Sequence, residues 1–125
     1  MSKTFMYDSS KELADQLPGF KSNKPAIKND GAKPDLALVP LVAMEAAAKA
    51  FMVGEKKYGR YNYTNGMEAS RLVAAALRHL FAWNEGEEND PADGQPHLGS
   101  VIACCAMLLR QQQLGTLKDN RHGQE

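Results

Sequence analysis

The sequence predicts an all-α fold: a small bundle of three core helices, preceded by an extended N-terminal arm and built to self-associate. Three observations carry this prediction. Apolar residues recur at steps of three, four and seven in three separate segments. Glycine, proline and Asn-Gly signals punctuate the chain between those segments. Runs that alternate apolar and polar residues, as a half-buried strand requires, are nearly absent.

Residues 1–34 hold six lysines, four acids and three prolines, and their few apolar residues follow no period. We read 1–32 as an arm, with one short helical turn near residues 10–17 and an extended stretch after it. The domain occupies 33–114. Pro40 suits the first turn of a helix, where its missing N–H costs nothing. From Leu41, the residues Leu41, Met44, Ala48, Phe51 and Tyr58 share one helical face. Gly54 interrupts this helix and Gly59 stops it.

A loop RYNYTNG follows, with Asn65-Gly66 as its turn dipeptide. The second helix runs from about Met67 to Asn84. Leu72, Ala76, Leu80 and Trp83 form its stripe, with Val73, Leu77 and Phe81 beside it, and Gly86 can end it. An acidic loop then leads to Pro96, which opens a third helix over 96–114. That helix is apolar around much of its girth from Leu98 to Leu109, so more than one face is covered. The tail 115–125 reads as flexible. Three helices of this length bury a modest core, which adds to the expectation of a dimer or tetramer.

The 125 residues suit one domain, and 43% hydrophobic with 24% charged residues is a globular composition. Fifteen basic and fifteen acidic residues cancel. Zero net charge argues against direct nucleic-acid binding, which usually shows a basic excess. No apolar run reaches the roughly 20 residues of a membrane helix, and the first residues lack the apolar core of a secretory signal. The adjacent Cys104 and Cys105 diverge on a helix and match no metal spacing. They read as small helix residues in a reducing, cytoplasmic compartment.

Three sets of residues could carry chemistry. The loop EGEENDPADGQP holds five carboxylates in nine residues: Glu85, Glu87, Glu88, Asp90 and Asp93. Glu87 and Asp90 are three apart and face one point if a helical turn persists. His79 and His97 flank the loop. Hard oxygen ligands beside phosphates suit Mg²⁺, and Glu87, Glu88 and Asp90 are the candidate ligands, with Mn²⁺ as the substitute ion. The second set is cationic: Lys33, the cluster Lys56, Lys57 and Arg60, and the pair Arg71 and Arg78, seven apart on one face. Arg78 and His79 interrupt an apolar run, so Arg78 is expected to pair with a carboxylate of the acidic loop. Glu55, on the inward stripe, reads as the end of its helix. The third set is aromatic: Tyr58, Tyr61 and Tyr63, with the Asn62 amide, could stack on and read a base.

Together, GAKPDLALVP (31–40), GEKKYGRYNY (54–63) and LRHLFAWNEGEENDPADGQPHLGSV (77–101) resemble the phage-borne dATP/dGTP diphosphohydrolase family, a distant relation of the MazG-like all-α nucleoside triphosphate pyrophosphohydrolases. The likeness runs, with gaps, over residues 31–109, and its most specific part is RHL…GE..D…G..HL. It implies Mg²⁺-dependent hydrolysis of a purine deoxynucleoside triphosphate to monophosphate and pyrophosphate, in the cytoplasm of an infected bacterium if the gene is phage-borne. Glu87 and Asp90 match the family's acidic motif, His79 and His97 its histidines, and Lys57, Tyr58 and Asn62 its basic-aromatic motif. Glu87, Asp90 and His79 are therefore the expected catalytic residues. Lys33, Lys57, Tyr58, Arg60, Tyr61, Asn62, Arg78 and His97 are the expected nucleotide contacts.

One departure stands out. MazG-like enzymes carry paired carboxylates on two successive helices, whereas this third helix opens with His97 and Ser100. That departure favours an alternative, a non-catalytic protein that sequesters a nucleotide. A helical interaction protein is the third reading.

Overall fold

The structure, a computed structural model, describes residues 23–124, so the helical turn expected near 10–17 lies outside the described residues. The chain divides into two units, residues 1–34 and 35–125. In the first, the described residues 23–34 are exposed and extended, with a turn in which the Lys33 N–H donates to the Asp30 carbonyl at 2.9 Å. The second unit is all-α. After one 3₁₀ turn at Leu36–Leu38, capped by the Asp35 side chain, come α1 (Leu41–Tyr58), a 3₁₀ turn (Asn62–Asn65), α2 (Ala69–Asn84) and α3 (His97–Leu114). Among the described residues the only β-type pairings are two isolated bridges. No described helix is long and apolar enough to cross a membrane.

The helix boundaries follow backbone chemistry. Pro40 and Pro96 stand one residue before α1 and α3, with extended backbone, and neither loses a helical hydrogen bond there. Gly59 and Gly115 end α1 and α3 with positive φ, of 95° and 74°. Gly54 does not interrupt α1. The helix runs through it, because the weak helix propensity of one glycine costs only about 1 kcal/mol.

α3 is the hub. Both α1 and α2 pack on it, far more than on each other. This accounts for its apolar girth. Its contact with α1 is set by Gly99, where an added Cβ would collide with the Ala46 carbonyl and crowd the Ala46 methyl. Backbones that close leave room only for small side chains. Hence α1 turns Ala43, Ala46, Ala47, Ala50, Phe51 and Gly54 inward, while Leu41, Met44, Ala48 and Tyr58 of the expected stripe stay outside.

α2 buries Ala69 and Leu72 and half-buries Ala76 and His79, so the expected stripe holds at Leu72 and Ala76 but not over the last turn. Leu80 and Trp83 are each 40% exposed. Cys104 is buried and Cys105 is exposed. Burial, helped by its neighbour Cys105, raises the Cys104 thiol above its ordinary pKa and keeps it inert.

The tail differs from the flexible reading through Asn120. Lys118 N–H donates to the Met67 carbonyl, and the Lys118 carbonyl accepts from Ala69 N–H. Asn120 then caps α2 from outside: its Oδ1 accepts from Ser70 N–H at 2.9 Å and its Nδ2 donates to Ser70 Oγ at 2.8 Å. The Glu68 side chain, at the cap position itself, makes no such bond. Gln111, fully buried on α3, ties the same corner. Its Oε1 accepts from Met67 N–H at 2.7 Å and its Nε2 donates to the Met107 carbonyl.

Two predictions follow from this packing. Gly99→Ala should lower the melting temperature by the equivalent of about 1–3 kcal/mol, the usual cost of overpacking. Gln111→Ala should cost about as much by stranding the Met67 N–H. Chemical denaturation of both variants beside the native chain measures each loss.

Candidate functional site

The loop between α2 and α3 is folded by its own hydrogen bonds. The Asp90 N–H donates to the Gln95 carbonyl at 2.8 Å, and the Gly94 N–H donates to the Asp90 carbonyl at 2.6 Å. Asp90 Oδ1 accepts from Ala92 N–H, and Asp93 Oδ1 accepts from Gln95 N–H. These are Asx turns, the backbone-mimicking use of a short carboxylate. The helical turn that would aim Glu87 and Asp90 at one point is therefore absent. Instead the Glu87 N–H donates to the Ala82 carbonyl, and the His97 N–H donates to the Glu88 carbonyl.

This fold of the loop gathers a different set of side chains. His79, on the inward stripe of α2, meets His97, the buried first residue of α3, with 2.9 Å between their Nδ1 atoms. Asp90 Oδ2, the oxygen not used by the Asx turn, lies 4.0 Å from His79 Nδ1. One donor atom each from His79, Asp90 and His97 fits within a 4.8 Å span. On the far side of the His97 ring, Nε2 meets Glu87 Oε1 at 2.7 Å. A hydrogen bond to a carboxylate places a proton on Nε2 and turns Nδ1 toward His79. Burial foremost, and then the neighbouring His97, push the His79 pKa below its ordinary value; Asp90 and Asp93 oppose them.

The expected metal ligands are thus redistributed. Asp90 remains at the centre. Glu87 backs His97 from outside, and the Glu88 side chain is exposed, only its carbonyl contributing. Two imidazoles and one carboxylate are not the all-oxygen set that a protein-held Mg²⁺ asks for.

Two clefts lie along α1. The first, of about 580 Å³, is largely apolar and lined by Phe51, Tyr58, Tyr61, Asn62, Met67 and Met107 among others. Tyr63 closes its wall, its ring 5.6 Å from that of Phe51. Tyr61 is exposed and held in the left-handed region at φ 62°, a conformation costly for a bulky side chain and frequent at ligand sites. The cleft reaches Ala103, six residues and about 9 Å along α3 from His97.

The second cleft, about 500 Å³ and more open, carries Lys49, Lys56, Glu55 and Gln95. It shares Met52 and Glu55 with the first. Its Gln95 sits in the turn that also holds Asp90. Lys49 escaped the sequence reading, although its seven-residue step from Lys56 places both on one helix face.

The other expected contacts fall into three groups. Tyr58, Arg60, Tyr61 and Asn62 line the first cleft, with Arg60 paired to Glu55 at 2.7 Å. Lys57 is exposed and outside both linings. Lys33 lies in the first unit. Arg78 is exposed and forms no ion pair among the described residues, contrary to the expected pairing with the acidic loop. The loop carboxylates are spent on turns and imidazoles, and Arg78 sits beside the inward stripe rather than on it.

Residues 23–121 match the family described as dATP/dGTP diphosphohydrolase, N-terminal. The chain belongs to that family. It is also similar to a protein of Salmonella phage PMBT28 named dATP/dGTP diphosphohydrolase, with 34% identity over 71 residues. That match covers 57% of this chain and 24% of the phage protein, so the chain spans about a quarter of that relative. No solved structure matches the chain. The family's match includes both clefts and the centre between His79 and His97.

The exposed position of Arg78 carries a prediction. Arg78→Ala should change stability by less than about 0.5 kcal/mol, as surface substitutions do. Thermal melting of the variant beside the native chain checks it; a loss above 2 kcal/mol would restore the paired arginine.

Proposed function

We propose that this chain hydrolyses a purine deoxynucleoside triphosphate, dATP or dGTP, to the monophosphate and pyrophosphate. The observation that carries the reading is the order of features along one surface. An aromatic cleft and a lysine-bearing cleft share Met52 and Glu55, and Gln95 of the second cleft accepts a backbone hydrogen bond from Asp90 of the histidine–carboxylate centre. The family name and the name of the phage relative support the same substrates.

In this reading the base enters the apolar cleft and stacks on Tyr61, while the Asn62 amide meets its edge. Lys56 and Lys49 meet the phosphates as point charges. Arg60, held by Glu55, adds a cation at the mouth. The triphosphate carries its own Mg²⁺ as part of the substrate, since that ion prefers phosphate oxygens and water to a dedicated protein cage. His79, His97 and Asp90 face the attacking water, and its proton passes to this histidine–carboxylate centre. Attack at the α-phosphorus forms the new P–O bond, the bond to the β-phosphate bridging oxygen breaks, and pyrophosphate leaves. Glu87 acts through His97 by fixing its ring and tautomer. The lysines offset the charge that develops on the leaving pyrophosphate.

The chain acts as a homo-oligomer in this proposal. Leu41, Val73, Leu77 and Phe81 are each more than 40% exposed. Its buried hydrophobic residues are only Ala69, Leu72, Ala103 and Cys104 among the described residues. A second copy laid on that surface would supply the core that one chain lacks. Light scattering at micromolar concentration should give a multiple of the 13.7 kDa chain mass; a monomer would sink this part of the reading.

The activity is tested by incubating each dNTP with the chain and Mg²⁺ and separating the products. Release of dNMP and pyrophosphate from dATP or dGTP is expected. Lys56→Ala and Tyr61→Ala should raise KM about tenfold or more, and Asp90→Asn should lower kcat at least a hundredfold. Stoichiometric retention of nucleotide without turnover would instead establish the sequestering alternative.

A further inference from the structure

We propose that His79 Nδ1, His97 Nδ1 and Asp90 Oδ2 form a binding site for one divalent transition-metal ion of the Mn²⁺–Zn²⁺ class, with Glu87 as the outer partner that orients His97. The proposal rests on the preceding reading only for what the ion would do; the site itself stands on donor geometry.

The first observation is the meeting of the two rings. Each presents Nδ1 to the other at 2.9 Å, in a half-buried to buried setting. With His97 Nε2 bonded to Glu87, its Nδ1 is the ring atom turned toward His79. Two imidazole nitrogens bound to one ion at about 2.1 Å stand roughly 3.0–3.4 Å apart for angles between 90° and the tetrahedral value. The observed spacing is already close to that range. Asp90 Oδ2 lies 4.0 Å from His79 Nδ1, and the three donor atoms all lie within 4.8 Å of one another.

The second observation is independent: the Glu87–His97 bond at 2.7 Å. It sits on the ring nitrogen opposite the proposed ligand atom. Histidines that ligate metals commonly donate their other N–H to a carboxylate, which fixes the tautomer and raises basicity. Here the carboxylate comes from the loop that also supplies Asp90, so one loop provides both a ligand and the support of another.

The third observation is the donor type. Imidazole suits Mn²⁺, Fe²⁺, Co²⁺ and Zn²⁺, whereas Mg²⁺ takes oxygen. Three protein ligands on one side leave the remaining coordination positions for water and a phosphate oxygen, the pattern of an open, reactive site rather than a closed structural one.

The test uses the full chain without nucleotide, so its outcome is independent of hydrolysis. The chain is dialysed separately against micromolar Zn²⁺, Mn²⁺ or Co²⁺ with millimolar Mg²⁺ present, and bound ion is counted by mass spectrometry. One transition ion per chain is expected, and Co²⁺ should give a visible d–d absorption. His79→Ala should lose that ion and that band. Asp90→Asn, a loop substitution with little bearing on folding, should weaken binding at least tenfold, and Glu87→Gln about 10–100-fold without abolishing it. His122→Ala, outside the set, should bind as the native chain does. Circular dichroism confirms that each variant is folded.

No ion retained by the native chain would overturn the proposal. So would full binding by His79→Ala and Asp90→Asn, or loss of the ion in His122→Ala. A chain that takes up the ion but hydrolyses no dNTP would keep the metal site and discard the hydrolysis reading. Hydrolysis that needs only Mg²⁺, with no transition ion bound, would do the reverse.

Discussion

The close approach of α3 to α1 at Gly99 governs the rest of the domain. A side chain there would collide with the Ala46 main chain, so the two helices meet backbone to backbone. Two consequences follow. The face of α1 that turns inward is mostly small, with Phe51 at its far end, while Leu41, Val42, Met44 and Met52 go to the surface. The contact also fixes the start of α3, two residues before Gly99, against the middle of α1. That is how Gln95, preceding α3, comes to share a cleft with Lys49 and Lys56 of α1. Packing and site geometry therefore share one constraint.

The opposite end of α3 is held by hydrogen bonds rather than by apolar burial. Gln111 satisfies the Met67 N–H, and its own carbonyl accepts from Thr116 N–H. Asn120 supplies the cap that Glu68 does not. A domain with four buried hydrophobic residues has little hydrophobic stabilisation to spare: burying Leu72 contributes about 2–3 kcal/mol and the small residues less. Polar ties that join distant segments, each worth about 1 kcal/mol, then form a sizeable share of the total. The exposed faces of Leu77 and Phe81 show where further apolar stabilisation remains to be gained.

The helices were legible because their signals are local. Pro40, Gly59 and Pro96 mark ends by backbone geometry alone, and three helices emerged within a residue or two of the observed bounds. The inward face of α1 was not legible. Hydrophobicity alone favours Leu41 and Met44, and the counter-argument lies 55 residues away in Gly99. The cap by Asn120 was hidden for the same reason, since nothing near Ser70 announces it. Among candidate site residues, His79, His97, Asp90 and Glu87 do come together. Their division of labour was missed, because spacing along a chain gives a shared face only where a helix continues.

That last point explains why a carboxylate count misleads in this loop. Glu85, Glu87, Glu88, Asp90 and Asp93 look like an abundance of hard ligands. Asp93 and half of Asp90, however, are engaged in Asx turns, with backbone N–H donors at 2.9 Å. Those turns let the chain reverse within a few residues and bring His97 back beside His79. Glu87 is engaged by His97, and the Glu88 side chain is exposed. One oxygen, Asp90 Oδ2, is left facing the histidines. The acidic composition thus does two jobs: it builds a tight reversal, and it places carboxylates beside a pair of imidazoles. At His79, burial and the neighbouring His97 lower the pKa against the opposing pull of Asp90 and Asp93. The chemistry of the loop is therefore set by which carboxylate oxygens the turns leave over, and here they leave one oxygen and two nitrogens at a single point.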